Sequence, residues 1–296
     1  MVKDKFFVER KKCPLCNSKR IVKIFSKTFS QIKAKNFFKT HLNNKFPFRI
    51  LDNREFNISE CKKCKILFQK NILNNKYNSK YYNDFIDHKK ILNTKNLLKQ
   101  KNSNFKFEIE MIDRIFKNKK ITILEYGAGL GAWVNAIKKS GYKNVFTVEI
   151  SKKRRDYLKK NKIKSYSNLS KLNKKFDLIY SDQTFEHLVH PGKVIEKLIR
   201  LLKPNGYLIF KIPPGIHFKK KLNNNYVAQK DEAIPLEHLN IYTRDTIKFI
   251  KKKYKLKDIK SYLLFKIYEK NFLKSLASYF YHLYYAKKFV LQKYKY

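Results

Sequence analysis

The sequence predicts an α/β fold: a mostly parallel sheet with helices on both faces, beside a small cysteine-bearing N-terminal domain. Three observations carry this reading. From about residue 106 to 265, short apolar runs alternate with amphipathic helical patterns, as in consecutive β/α units. All seven glycines lie between positions 127 and 215, three of them in Glu125-Tyr126-Gly127-Ala128-Gly129-Leu130-Gly131. The four cysteines fall within residues 1–70 as two C-x-x-C pairs.

The elements follow in order. ITILEYG (121–127) reads as a buried strand, and GAWVNAIKKSG (131–141) as a helix ending on Gly141. VFTVEI (145–150) is a second strand and KKRRDYLKKN a second helix; FDLIYSD (176–182) is a third strand. PGKVIEKLIRLLK (191–203) has proline at a helix start and apolar residues at helical spacing, and GYLIFKIP (206–213) is one more strand. Upstream, residues 71–105 form a Lys/Asn/Tyr-rich helical connector. Residues 266–296 form a basic, aromatic tail with apolar residues at roughly helical spacing. Packing onto the domain is the first reading of that tail; peripheral contact with an anionic membrane surface is the second.

Composition narrows the partners less than its extremity suggests. The formal charge is +46, yet only nine of the 69 basic residues are Arg, and Lys is spread over every segment. That is compositional bias more than a dedicated nucleic-acid surface, for which Arg is the better suited residue. The opening MVKDKFFVERKK lacks the apolar core of a signal peptide. No run reaches the ~18 apolar residues of a spanning helix. Cysteines arranged for metal fit a reducing, cytoplasmic setting.

Cys13-Pro14-Leu15-Cys16 and Cys61-Lys62-Lys63-Cys64 use every cysteine in the chain. Each pair can offer two thiolates to one ion, and four complete a closed, structural zinc site. Asn17 and Lys65 follow the second cysteines, where glycine is the usual residue; Asn accepts a left-handed conformation more readily than Lys. Residues 17–60 read as an insertion within this 1–70 zinc-binding domain.

The glycine loop follows a strand and opens a helix, so a ligand can lie against bare backbone at the carboxyl edge of the sheet. Gly127, Gly129 and Ala132 also satisfy the dinucleotide-binding pattern. Glu149 ends the next strand, where a carboxylate can accept both hydroxyls of a ribose; both cofactor classes use that device.

The surrounding motifs separate them. Over about 106–265, the glycine loop, Glu149, FDLIYSDQTFEHLVHP, LLKPNGYLIFKIP and PLEHLNIYT together resemble the class I S-adenosylmethionine-dependent methyltransferases. With CKKCKILFQ preceding the Tyr-rich YNSKYYNDF, the chain is most similar to those bearing an N-terminal cysteine-rich zinc domain, a group that includes sugar C-methyltransferases. The resemblance implies a Rossmann-like methyltransferase domain over 106–265 and a small-molecule acceptor such as a sugar. By position it implies that Gly127, Gly129 and Gly131 pass under the methionine and ribose parts of S-adenosylmethionine, that Glu125 anchors the methionine end, and that Glu149 binds the ribose. The adenine contact is usually acidic; here Asn168 of SYSNLS is the candidate.

Methyl transfer from a sulfonium needs an in-line acceptor and a place for its proton. The resemblance brings Glu186 and His187 toward the acceptor, with His187 the candidate base; in the alternative they only orient the following segment. His238 of PLEHLNIYT is a second candidate, on a loop that closes over the pocket in related proteins. His190 reads as a helix-start residue, and Trp133 as core more than site. Two other functions stand beside the small-molecule enzyme: an RNA methyltransferase docking through basic surface, and a noncatalytic zinc-containing binding module that keeps the fold.

Overall fold

The computed structural model describes residues 4–43, 45–86, 105–258 and 288–293. In chain order its main elements are β1 (Phe7–Glu9), β2 (Ile21–Thr28), α1 (Ala34–His41), β3 (Glu55–Cys61), β4 (Leu67–Gln69), β5 (Asn71–Leu73) and α2 (Asn75–Lys80). They continue through α3 (Lys106–Ile115), β6 (Ile123–Tyr126), α4 (Ala132–Lys139), β7 (Val145–Val148), α5 (Lys152–Lys160), β8 (Ser165–Tyr166) and β9 (Phe176–Asp182). Last come α6 (Pro191–Leu201), β10 (Leu202–Lys211), α7 (Phe218–Lys221), β11 (Asn240–Ile241), α8 (Arg244–Tyr254), β12 (Leu256–Asp258) and β13 (Lys288–Lys293). Two compact units interleave along the sequence. The first draws its described residues from 1–91, 185–194 and 213–249, the second from 92–184, 195–212 and 250–296.

The second unit is built on a seven-stranded sheet in the order β12-β13-β10-β9-β6-β7-β8. Strands β10, β9, β6, β7 and β8 are parallel neighbours, whereas β13 runs antiparallel to both β10 and β12. The central β9 is mostly buried around an apolar Leu178-Ile179-Tyr180 centre, as suits a parallel strand covered on both faces. Ile123, Leu178, Tyr180 and Ile209 from the sheet pack with Met111, Ile112, Trp133 and Ile137 from α3 and α4. A second cluster joins Val134 of α4 to Leu158 and Ile163. Helix α4 starts at Gly131 (φ 80°), and Gly141 (φ 96°) follows its end. Ser151 caps α5 by accepting the Arg154 N–H.

This is the mostly parallel Rossmann-like α/β architecture that the strand and helix patterns predict. Two details differ from the sequence reading. Strand β10 begins at Leu202, four residues before Gly206, with an irregular register between Leu202 and Tyr207. Residues 288–293, read as part of a helically spaced tail, form a strand. A short apolar run such as Phe289-Val290-Leu291 suits either state, and pairing with β10 and β12 decides it. The rest of that tail, and the connector from 87 to 104, lie outside the described residues.

The first unit holds an antiparallel sheet in the order β11-β4-β3-β2 and a separate β1-β5 pair. Residues 17–60, which look like an insertion between cysteine pairs, supply β2, α1 and most of β3. They also supply much of the core: Phe29, Phe38, Phe46 and Phe56 are buried with Tyr81, Phe218 and Tyr226. Pairing of β11 with β4 ties the segment around Asn240 into this sheet. Among the described residues, no helix is long and apolar enough to cross a membrane.

Candidate active site and metal centre

In the second unit, the sheet extends one way from β6 through β7 to β8 and the other way through β9 to β10. This reversal is a topological switch point, and ligands of open α/β sheets bind outside the carboxyl ends of strands there. The loop after β6 carries the three glycines, all with positive φ, but each for its own reason. A Cβ on Gly127 would meet Thr184 Oγ1 at 2.2 Å, and one on Gly131 would meet Leu158 Cδ2 at 2.7 Å. Those two glycines are required by the packing of the protein itself. A Cβ on Gly129 would meet nothing within 4 Å, so its bare backbone faces open space in which a ligand can lie.

Glu149 stands beside that opening. Its carboxylate accepts the Gly129 N–H at 2.9 Å and the Ser151 N–H at 2.8 Å, and the residue is buried. One oxygen is committed to each amide, leaving further lone pairs for hydroxyl donors. Ile150, the next residue, is 64% exposed; an apolar side chain at the mouth of this edge offers a surface for a flat ring. Asn168 is exposed and caps a short turn by accepting the Ser170 N–H. The sequence singled out Asn168 and passed over Ile150, because exposure of an apolar residue is invisible without the fold.

Glu125 lies deeper, on β6, and is buried. Burial, with the nearby Asp182 and Glu149 carboxylates, pushes its pKa well above the usual range, while a hydrogen bond from the Val134 N–H acts in the opposite sense. It therefore caps the first turn of α4, and its Oε2 has no hydrogen-bond partner among the described residues. A carboxyl whose folded pKa is raised makes the folded state bind more protons than the unfolded chain, so stability is lost as pH rises above the unfolded value. Denaturant melts at pH 5 and pH 8 test this. The parent should lose more stability between the two than Glu125→Gln; equal losses would show that the carboxylate carries no such cost. Trp133 is core: it is 2% exposed and stacks on Tyr180 at 3.9 Å between ring centroids.

The first unit carries the remaining candidates. Phe185–His187 form a single helical turn held by a polar scaffold that sequence inspection misses. The buried Asn240 amide donates to the carbonyls of Phe185, Glu186 and Leu188, the last at 2.7 Å. The Arg10 guanidinium reaches Asn240 Oδ1 at 3.0 Å and the Leu239 carbonyl at 3.2 Å, and Tyr242 donates to the Phe185 carbonyl at 3.2 Å. Burial lowers the Arg10 pKa to about 9, so it remains cationic at neutral pH.

This scaffold assembles Glu186, His187 and His238, whose ligand atoms lie within 4.8 Å of one another. His187 Nδ1 is 2.9 Å from the Glu237 carbonyl, and His238 Nδ1 is 2.8 Å from the Asp231 carbonyl. A carbonyl only accepts, so each Nδ1 carries the hydrogen and each Nε2 the lone pair. His187 Nε2 sits 3.9 Å from Glu186 Oε1, a carboxylate with no solvent exposure. From the Tyr-rich segment, Tyr82 OH is 3.3 Å from His187 Nδ1 and Tyr81 OH donates to Glu237 Oε2 at 3.2 Å. His190 stays at the start of α6, as its place before Pro191 implies.

The four cysteines also converge in the first unit. Cys13 and Cys64 Sγ are 3.5 Å apart, as are Cys16 and Cys61, and all four sulfurs lie within 4.8 Å of one another. Four sulfurs at about 2.3 Å from one zinc need comparable spacings, so the residues fit a tetrahedral ion. The two loops repeat one backbone pattern. Asn17 N–H bonds to the Cys13 carbonyl at 3.0 Å, and Lys65 N–H bonds to the Cys61 carbonyl at 2.9 Å. Both Asn17 and Lys65 adopt φ 60°, so Lys65 takes the left-handed conformation despite its Cβ. A hydrogen bond with Cys64 pushes the Cys13 thiol down to about 5 and the Cys64 thiol up. Crowded sulfurs of this kind share negative charge poorly without a cation. Gly192 abuts the first loop: a Cβ there would meet the Leu15 carbonyl oxygen at 2.1 Å.

A switch-point glycine cradle, an acidic strand end and a mostly parallel sheet define a nucleotide-cofactor enzyme of the α/β class. A family model described as a methyltransferase domain matches residues 102–261, more than half of the chain. The chain thus belongs to the methyltransferase-domain family, and it is an S-adenosylmethionine-dependent methyltransferase. Its fold is similar to that of the plantazolicin methyltransferase BpumL with SAH, at 14% identity and a TM-score of 0.51 over 74% of this chain and 94% of that one. The same enzyme with a monoazolic desmethylPZN analog and SAH gives 16% identity, a TM-score of 0.50 and the same coverages. Comparison with curated protein sequences gives no match.

Proposed function

We propose that the chain methylates a small molecule, a sugar or related metabolite, at carbon or oxygen. S-adenosylmethionine, when bound, supplies a methyl group on a positively charged sulfur. The observation that carries the binding site is the open space over Gly129 next to the Glu149 carboxylate. In this reading Gly127 and Gly131 hold the loop's shape, Gly129 lets the cofactor approach, and Glu149 accepts the ribose hydroxyls. Glu125 braces α4 and faces the methionine end; Ile150 covers one side of the adenine, with Asn168 at its edge. His187 takes the acceptor's proton on Nε2, with Glu186 stabilising the resulting imidazolium and His238 lining the acceptor site.

Four cysteines holding one structural zinc in a reducing cytoplasm complete the proposal. The sugar class rests on similarity to methyltransferases with an N-terminal cysteine-rich domain. Supplying a cell extract with isotopically labelled cofactor tests it: label should enter the sugar-metabolite fraction. Label in RNA instead would favour the nucleic-acid reading.

Cofactor binding has its own expected outcomes. Glu149→Ala should weaken S-adenosylmethionine binding by about 1.5–3 kcal/mol, the worth of a hydrogen bond to a charged group. Gly129→Val, which puts branched carbon where the ligand lies, should abolish it. Calorimetry reads both, and unchanged affinity in Gly129→Val would move the cofactor elsewhere.

A further inference from the structure

We infer that Glu186, His187 and His238 form a binding site for one divalent first-row transition-metal ion, separate from the four-cysteine centre. Two imidazoles and one carboxylate are a donor set suited to ions such as Zn²⁺ or Co²⁺. The stronger argument is how the imidazoles are held. Both donate Nδ1–H to a backbone carbonyl, at 2.9 Å for His187 and 2.8 Å for His238. Metal-ligating histidines are fixed in this way, because the outer hydrogen bond sets the tautomer and raises the basicity of the other nitrogen. The two rings meet edge to face, 4.9 Å between centroids, and Glu186 Oε1 lies 3.9 Å from His187 Nε2. Nitrogen and oxygen ligands sit about 2.0–2.2 Å from such an ion, so two of them on one ion stand at most about 4.4 Å apart, close to the 3.9 Å and the 4.8 Å bound of this cluster.

Burial shields the cluster from competing water. Glu186 has no solvent exposure, and His238 is 8% exposed. The surrounding scaffold of Arg10, Asn240 and Tyr242 fixes the turn through its carbonyls and so leaves the three donor side chains oriented by the fold itself. The inference does not depend on the methyltransferase assignment. It has a consequence for it, because the lone pair that would take the acceptor's proton is the one the ion uses. Ion and proton compete for His187, and a loaded chain turns over slowly.

Cobalt titration of the intact chain, with zinc on the cysteines, tests the site. One further equivalent of Co²⁺ should bind, with visible d–d absorption and without the near-ultraviolet charge-transfer band of thiolate ligation. The His187→Ala/His238→Ala double variant should lose that equivalent while keeping its zinc and its near-ultraviolet circular dichroism. Glu186→Gln, which preserves shape and both imidazoles, should weaken Co²⁺ at least tenfold. Absence of a second equivalent in the parent would overturn the inference, as would its survival in the double variant or unchanged affinity in Glu186→Gln. Slower methyl transfer on Co²⁺ loading is a separate readout, and its failure would count against the base role of His187, leaving the binding result to stand or fall on the spectrum.

Discussion

His187→Ala should leave S-adenosylmethionine affinity nearly unchanged and lower turnover by roughly 10²–10⁴-fold, the usual contribution of a positioned acid or base. The expectation follows from the tautomer. Donation of Nδ1–H to the Glu237 carbonyl commits Nε2 as the basic nitrogen, and Glu186 at 3.9 Å favours the imidazolium once formed. Cofactor affinity is spared because the proposed cofactor contacts run through Gly129 and Glu149, not through His187. His238→Ala should act differently, raising the apparent acceptor constant more than it lowers turnover. Steady-state kinetics with saturating cofactor reads both. Near-normal turnover in His187→Ala would return that residue to a purely structural role and make His238 the base to examine.

Loss of zinc should be the most damaging single change to folding. Carefully purified protein is expected to hold one zinc per chain on Cys13, Cys16, Cys61 and Cys64. Structural zinc sites in small domains contribute on the order of 10 kcal/mol, so stripping the ion should unfold the cysteine-bearing first unit and spare much of the second. The damage should reach beyond residues 1–70. Gly192 packs on the Leu15 carbonyl of the first cysteine loop, and Arg10 braces the turn at Leu188. Hydrogen exchange after chelation should therefore rise both at the cysteine loops and at 185–194, with little change at β6 and β9. A metal-free chain with full protection at the cysteine loops would sink the idea.

The contrast between what was legible and what was not has a physical basis. The β6, α4, α5 and β9 segments were readable because short apolar stretches alternate with amphipathic ones and local signals mark their limits, such as Gly131 and Gly141 around α4 and Leu178-Ile179-Tyr180 within β9. The glycine loop and both cysteine pairs were readable because short-range spacing is itself the signal. Long-range partners were not. Nothing local marks Arg10 or Asn240 as the scaffold of the Phe185–His187 turn, since their partners lie up to 230 positions away. The core role of residues 17–60 was hidden for the same reason: Phe29 and Phe56 gain their meaning only when β2 pairs with β3. Ile150 was missed because an apolar residue after a strand looks like core until its exposure is known.

The place of β13 bears on how the second unit is assembled in time. Strand β12 is made before β13, yet β13 lies between β12 and β10 and supplies β12's pairing in the sheet. While a nascent chain has reached residue 258 but not 293, β10 therefore presents an open rim beside a parallel core that is otherwise ready. Unpaired rims recruit strands from other chains, and long-range strand insertion is slow. Translation that pauses or stops within that interval leaves β10 without its β13 partner, so completion of this rim waits on residues made well after the rest of the described sheet.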